Sequence, residues 1–234
     1  MKFRIVLIAG LLIAHLASAQ VTTVSPTPDH TSNLSSNTWT YGYKTDTFNP
    51  FNLFPDYNLV PANTNVHRWF ASGVDASLSA LFNPTAVDQS WDVFTMPANS
   101  MAMHPGPSQQ AVLRFTAPAA GTYDFSGSFY DVAVPATAGA TSNVYIVTGG
   151  ATIFSGYVNG TVNPPPAVPF DIMNLALTAG QTVDFQVQNT GSFWGDMVGL
   201  QVTAVPEPST YALISIGILG ACLLLKRRLV HPLR

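Results

Sequence analysis

The chain has 234 residues, 47% of them hydrophobic and only 9% charged, with a formal net charge of −3. That length holds one domain with a sizeable core plus a segment at either end. Between Gln20 and Val205 the only basic residues are Lys44, Arg68 and Arg114, against eleven aspartates, so the balance is strongly acidic and argues against nucleic acid as a partner. The one cysteine, Cys222, lies in an apolar run near the end and reads as a small apolar filler, so no disulfide framework exists and the exterior relies on packing.

Residues 1–19 read as a secretory signal peptide. Lys2 and Arg4 supply the positive start, residues 5–16 an apolar run broken only by His15, and Ala17-Ser18-Ala19 the small-residue cleavage pattern. The exported chain is expected to begin at Gln20. Residues 20–38, rich in Ser, Thr, Pro and Asn without periodicity, read as a flexible leader.

The exterior domain is expected over residues 39–204. Trp39-Thr40-Tyr41-Gly42-Tyr43 alternates aromatic and small residues, as a first strand does. Residues 49–65 carry Pro50, Pro55, Pro61 and five asparagines and read as long loops. Short strands are expected at 66–70 and 91–96, and a further loop at 97–108. Residues 111–116 form a strand, 118–121 a turn, and 122–134 the next strand. Strands at 144–148 and 151–158 flank Gly149-Gly150, a two-residue hairpin turn. Strands at 170–178 and 182–188 flank Ala179-Gly180-Gln181 and read as a second hairpin. In it Val183, Phe185 and Val187 alternate with Asp184, Gln186 and Gln188, apolar inward and polar outward. Residues 196–204 close the domain. Short strands, regular turns, no amphipathic helix, and 17 Gly with 18 Pro predict an all-β fold, an antiparallel β-sandwich. No internal repeat points to a propeller or solenoid.

The end of the chain has three parts. Val205-Pro206-Glu207-Pro208-Ser209 contains two prolines, which suit neither a helix nor a central strand, so a stiff hinge is expected. Residues 209–225 carry no charge. As a helix they span roughly 26 Å, just short of a hydrocarbon core of about 30 Å, and Tyr211 and Lys226 extend the reach to the interfaces. Lys226, Arg227 and Arg228 follow, and the positive-inside rule keeps them cytoplasmic with everything upstream outside. Glu207 is the only glutamate of the chain, and its place between two prolines fits recognition better than solubility.

These residues resemble the PEP-CTERM sorting tail of Gram-negative bacterial surface proteins, also labelled an ice-binding protein C-terminal domain, which does not establish ice binding. The matching parts are Val205, Pro206, Glu207, Pro208 and Ser209, the apolar run, and Lys226-Arg227-Arg228. A departure is the stretch 229–234 after the basic cluster. The resemblance implies recognition at the inner membrane, processing by an exosortase-type enzyme, and export, often in organisms that make exopolysaccharide. The alternative is an ordinary C-terminal membrane anchor.

Residues 103–203 also resemble a jelly-roll module common in exported bacterial proteins and carbohydrate-binding modules. The matching pieces are His104-Pro105-Gly106, residues 114–123, Phe154-Ser155-Gly156, residues 177–185, and Gly195-Asp196 before the final strand. Sugar-binding sandwiches present exposed aromatic rings to the apolar faces of sugars, with amide and carboxylate groups fixing the hydroxyls. Candidate platforms are Trp69, Trp91, Trp194 and Tyr57, in or beside Asn- and Asp-bearing stretches; taken alone, such a ring in a small sandwich is more often core than platform, and Trp194 is the best candidate. Gly191-Ser192-Phe193-Trp194-Gly195 reads as a loop tip, with either Phe193 or Trp194 pointing out. Modules of this kind often hold a structural calcium, and Asp196 stands at a position resembling one such ligand, although no EF-hand spacing exists. Catalytic residues are not expected. Before Pro206 there is no glutamate, no G-x-S-x-G and no H-E-x-x-H, and His30, His67 and His104 are widely spaced. His104 reads as a loop hydrogen-bonding residue. Three functions remain open: a non-catalytic binding or matrix module for polysaccharide, a purely structural surface protein, and, third, a secreted glycan hydrolase.

Overall fold

A computed structural model describes residues 22–23, 38–133 and 139–207. The expected signal peptide, most of the leader, Pro208, the expected membrane helix over 209–225 and the charges Lys226, Arg227 and Arg228 lie outside the described residues.

All regular structure among the described residues is β. In chain order the strands are β1 (Thr22–Thr23), β2 (Trp39–Lys44), β3 (Asn52–Leu53), β4 (Asp56–Val60), β5 (Asn63–Ala71) and β6 (Asp75–Asn83). A small hairpin, β7 (Gln89–Trp91) and β8 (Phe94–Met96), precedes β9 (Ser100–His104), β10 (Gln110–Thr116) and β11 (Gly121–Asp131). The chain continues through β12 (Thr141–Thr148), β13 (Ala151–Asn159), β14 (Val168–Leu177), β15 (Thr182–Asn189) and β16 (Val198–Pro206). The first sheet runs β14-β11-β16-β9-β6-β5-β4, with β1 also pairing β16; the second runs β13-β12-β15-β10-β2-β3. Every pairing is antiparallel. The architecture is the all-β sandwich that composition and turn spacing predict.

The core lies between the sheets. Phe115 and Phe185 from the second sheet meet Phe125 and Phe129 from the first, all four essentially without solvent contact. Phe115 packs edge-on to Phe125 at 5.1 Å, and Phe125 lies 5.9 Å from Phe185. Each such ring contributes about 1.5–3 kcal/mol of burial. A second, smaller cluster of Val60, Val66, Leu81, Met96, Ala102, Val132 and Met197 covers the outer face of the first sheet beneath the β7–β8 hairpin.

Several expectations change. Residues 49–65 are not simply loops: they contain β3, β4 and the start of β5. Residues 97–108 contain β9, whose five residues are all buried between β6 and β16. Strand β6 was not foreseen. Both β6 and β9 sit in a sheet covered on two faces, so their apolar residues run together instead of alternating, and Ala, Met and Ser carry no strong strand propensity. The Gly149-Gly150 hairpin joins β12 and β13 as expected. The stretch 178–181 is not a hairpin. It carries the chain across the sandwich, because β14 pairs β11 in the first sheet while β15 pairs β10 and β12 in the second. The parallel crossing at 117–120 is tied to it: Ala117 donates its N–H to the Gln181 carbonyl at 2.9 Å, and Gly180 donates to the Ala117 carbonyl at 2.8 Å. Turn residues reverse a chain locally; which sheet receives the next strand depends on distant partners.

The leader contributes β1, which pairs Thr22 with Ala204 and Thr23 with Thr203. At the other end β16 runs through Pro206, whose Cα partner is Tyr123, and Glu207 donates its N–H to the Thr122 carbonyl at 2.8 Å. Val205 and Pro206 are therefore strand and not the expected hinge, and Pro208 and Ser209 lie outside the described residues. Proline is tolerated here because only β11 flanks it: β9 pairs β16 no further than Leu200 and β1 no further than Ala204, so this end of the strand is an edge.

Candidate aromatic ridge

The loop between β15 and β16 carries the most exposed large ring of the described residues, Trp194, at 80%. Gly195 has φ of 80°, a left-handed conformation that costs glycine little. It turns the chain so sharply that Trp194 points out while Asp196 is fully buried. The turn is tightened by Asp196 N–H to the Phe193 carbonyl at 3.2 Å and Met197 N–H to the Gly195 carbonyl at 2.8 Å. Thr141, the first residue of β12, grips the loop on both sides. Its N–H and hydroxyl donate to Asp196 Oδ1 at 2.7 and 3.2 Å, and its carbonyl accepts from the Thr190 hydroxyl. An exposed ring on a loop held this way is presented rather than left to swing.

Trp194 stacks beside Phe193, with centroids 6.1 Å apart. Phe193 meets the His104 ring edge-on at 6.4 Å, and His104 meets Phe94 the same way at 6.4 Å. Phe94 in turn lies 5.8 Å from Trp91. Five rings from three chain segments thus form one continuous line from the β7–β8 hairpin to the Trp194 loop. The spacings suit edge-to-face and offset contacts. His104 is buried between its two phenylalanines, and desolvation holds its imidazole below the ordinary histidine range, so it is neutral at neutral pH. Its Nδ1 lies 2.8 Å from the Pro105 carbonyl, which makes Nδ1 the protonated nitrogen.

Two of the four platform candidates, Trp91 and Trp194, come together in this ridge; Phe94, His104 and Phe193 complete it. His104 is a ring of the ridge at the end of a buried strand, not simply a loop residue. Trp69 is elsewhere: it is 3% exposed and stacks on Tyr41 at 4.6 Å inside the core, so neither face can meet a ligand. Tyr57 is partly buried on β4, hydrogen-bonded to His67 and 5.5 Å from Trp69. It belongs to the rim of that core. The ridge was legible only as separate aromatic residues, since no local pattern joins residues 91, 104 and 194.

Asp196 is the residue expected at a calcium. Its Oδ2 is buried without a hydrogen-bond partner among the described residues. Burial raises its carboxyl above the ordinary range, with a further push from the charge of Asp131. Asp131 is raised by burial as well, and its Oδ1 accepts from the Ala133 and Ala140 amides at 2.9 and 3.2 Å. An orphaned carboxylate oxygen beside a second carboxylate is the donor chemistry of a hard cation. No group of three or more His, Cys, Asp or Glu side chains clusters for a metal among the described residues, so backbone carbonyls or water would complete any shell.

Residues 204–228 match the PEP-CTERM protein-sorting motif. The motif implies an exported protein sorted at the cell envelope and processed by an exosortase. No curated protein matches the chain. Solved structures similar to it include carbohydrate-binding modules. One is the tandem CBM51 modules of a family 98 glycoside hydrolase from Streptococcus pneumoniae, at 12% identity and a TM-score of 0.38, over 52% of this chain and 36% of that one. Another is CBM51 from a Clostridium perfringens GH95 in complex with methyl-galactose, at 9% identity and 0.34, over 71% and 99%. A third is the module CBM36 in complex with calcium and xylotriose, at 15% and 0.29, over 50% and 89%. The chain spans about a third of the length of the tandem-module structure.

Proposed function

We propose that this protein is a non-catalytic envelope module whose aromatic ridge holds a polysaccharide, exported through the N-terminal signal peptide and presented by the sorting tail. One observation carries the reading: Trp194, 80% exposed, ends a line of five rings on a rigid loop. Exposed indoles stack on the apolar faces of sugar rings; Trp194 offers such a face, the partly exposed Phe193, Phe94 and Trp91 extend it, and the buried His104 ties them together. Orientation supports it. Strand β16 starts at Val198, beside the ridge, and ends at Pro206, inside the sorting motif; its nine residues span roughly 30 Å. The ridge therefore lies at the opposite end of β16 from the point where the described chain leaves the domain.

The test is retention of the full chain, in mild detergent, on a panel of polysaccharides including exopolysaccharide of the host. Saturable retention lost in Trp194→Ala supports the reading. Retention indifferent to Trp91 and Trp194 favours a structural surface protein, and turnover of a glycan abolished by one Asp change favours a hydrolase.

In the tail, Val205, Pro206, Glu207 and Pro208 form the recognition element, residues 209–225 the membrane span, and Lys226, Arg227 and Arg228 the orienting charge. Glu207→Ala is expected to leave the protein membrane-bound in its native host; unchanged release would count for an ordinary anchor instead. A structural calcium at Asp196, with Asp131 beside it, is a second reading, supported by the orphaned Oδ2 of Asp196.

A further inference from the structure

The second sheet carries a separate feature on its outer face. Residues 45–51 fold back over β2, β10 and β15 and roof a cavity of about 460 Å³. Its floor holds Lys44, Arg114 and Asp184. Lys44 Nζ lies 2.7 Å from Asp184 Oδ2, and Arg114 Nε and Nη2 donate to Asp184 Oδ1 and Oδ2 at 2.6 and 2.8 Å. Two of the three basic residues of the exterior thus converge on one carboxylate, leaving one positive charge in excess in a strongly acidic domain. Asp46, the carboxylate of the roofing loop, is exposed and does not line the cavity.

The guanidinium is only half used. Asp184 takes the edge formed by Nε and Nη2, and Phe51 covers one face at 4.0 Å. Nη1 makes no hydrogen bond to protein among the described residues, so the end-on edge of Nη1 and the second Nη2 proton is left for another acceptor. That fork matches a carboxylate. The rim is aromatic on one side, with Phe48 at 59% exposure, and bare on the other, where the turn glycines Gly150 and Gly180 leave open space. The roof is fixed before any ligand arrives. Thr47 accepts from Lys44 Nζ and Gln186 Nε2 through its carbonyl, both at 3.2 Å, and from Gln110 Nε2 through its hydroxyl at 3.0 Å. Gly42 lets the loop lie this close, since a Cβ there would meet the Asn52 carbonyl at 2.1 Å.

We propose that this cavity binds the carboxylate of an acidic sugar, a hexuronic acid unit, with Arg114 receiving the charge end-on and Phe48 packing on the ring. The volume is in the range of small-ligand sites, about 300–1,000 Å³. An anionic membrane surface is disfavoured, because such surfaces are met by clusters of about four to eight Lys and Arg. The cavity uses the first half of β15, whereas Phe193 and Trp194 follow its end, so it does not depend on the ridge.

The experiment is equilibrium binding of trigalacturonate, its methyl ester and glycerol phosphate to the full chain in non-ionic detergent. The acid is expected to bind at least tenfold tighter than the ester, with affinity falling as salt rises. Phe48→Asp, at an exposed position, is expected to lower acid binding at least tenfold without moving Tm; Phe48→Ala lowers it less. Arg114→Lys keeps the charge, removes the fork and is expected to abolish the preference for acid over ester. Equal binding of acid and ester assigns the sugar to the ridge and overturns the proposal. So do no binding of the acid, tighter binding of glycerol phosphate, or acid binding unchanged by Phe48→Asp.

Discussion

Trp194 and Asp196, separated only by Gly195, lie at opposite extremes of burial: the indole is 80% exposed and the carboxylate not at all. The inward carboxylate holds the backbone that aims the outward ring. The loop thus separates what touches a ligand from what positions it, and substitutions at the two residues should part accordingly.

Trp194→Ala removes a ring with few protein contacts. Stability is expected to stay within about 0.5 kcal/mol of the parent, while polysaccharide retention falls at least tenfold. Thermal unfolding and a retention assay on the same preparation check both halves.

Trp69→Ala should do the reverse. The ring is buried against Tyr41 and Tyr57, so truncation is expected to cost about 3–5 kcal/mol. Denaturant unfolding reads the loss. Whatever fraction remains folded should retain polysaccharide as the parent does, since the ridge does not include this ring.

Asp184→Ala leaves Lys44 and Arg114 facing each other beneath the 45–51 loop. Lys44 is buried and Arg114 partly so, and breaking such a cluster is expected to cost about 3–5 kcal/mol, toward the lower figure because water reaches the guanidinium. Asp184→Asn and Arg114→Gln together should cost less than the sum of the two made singly, which a double-mutant cycle measures.

Stability against pH tests the Asp196–Asp131 pair. Both carboxyls are raised by burial above the ordinary value of 3.8, so within that window the folded state binds more protons than the unfolded one. Stability then falls as pH rises through the window and is regained as pH falls from 7 toward the ordinary value. Asp56 and Asp75 are held below 3.8 by hydrogen bonds from Ser72 and Ser77, so their contribution is lost only at more acid pH. In chelator, Tm is therefore expected to rise on acidification from neutrality and to fall again below about pH 4. Calcium at neutral pH should raise Tm and remove the gain on acidification, since the ion takes the place of the proton. A calcium-independent profile would leave the buried pair without an ion.

The sequence by itself determined the all-β class, the hairpin at the two-glycine turn, the acidic exterior, and the sorting motif. Each of these is local: composition, a period of two, or a run of adjacent residues suffices. The tertiary structure decided the rest. It alone assigned β14 and β15 to different sheets, because their partners are Gly121 and Thr116 and not each other. It revealed β9, whose burial on both faces erases the alternation that marks a strand. Asp184 and Gln186 alternate as outward polar residues should, yet both are buried, because a loop more than a hundred residues earlier folds over them. Trp69 and Trp194 are the same residue type in similar company, and only packing puts one in the core and the other in water. A ring's neighbours in space come from other strands, and sheet order, not sequence spacing, sets which strands those are.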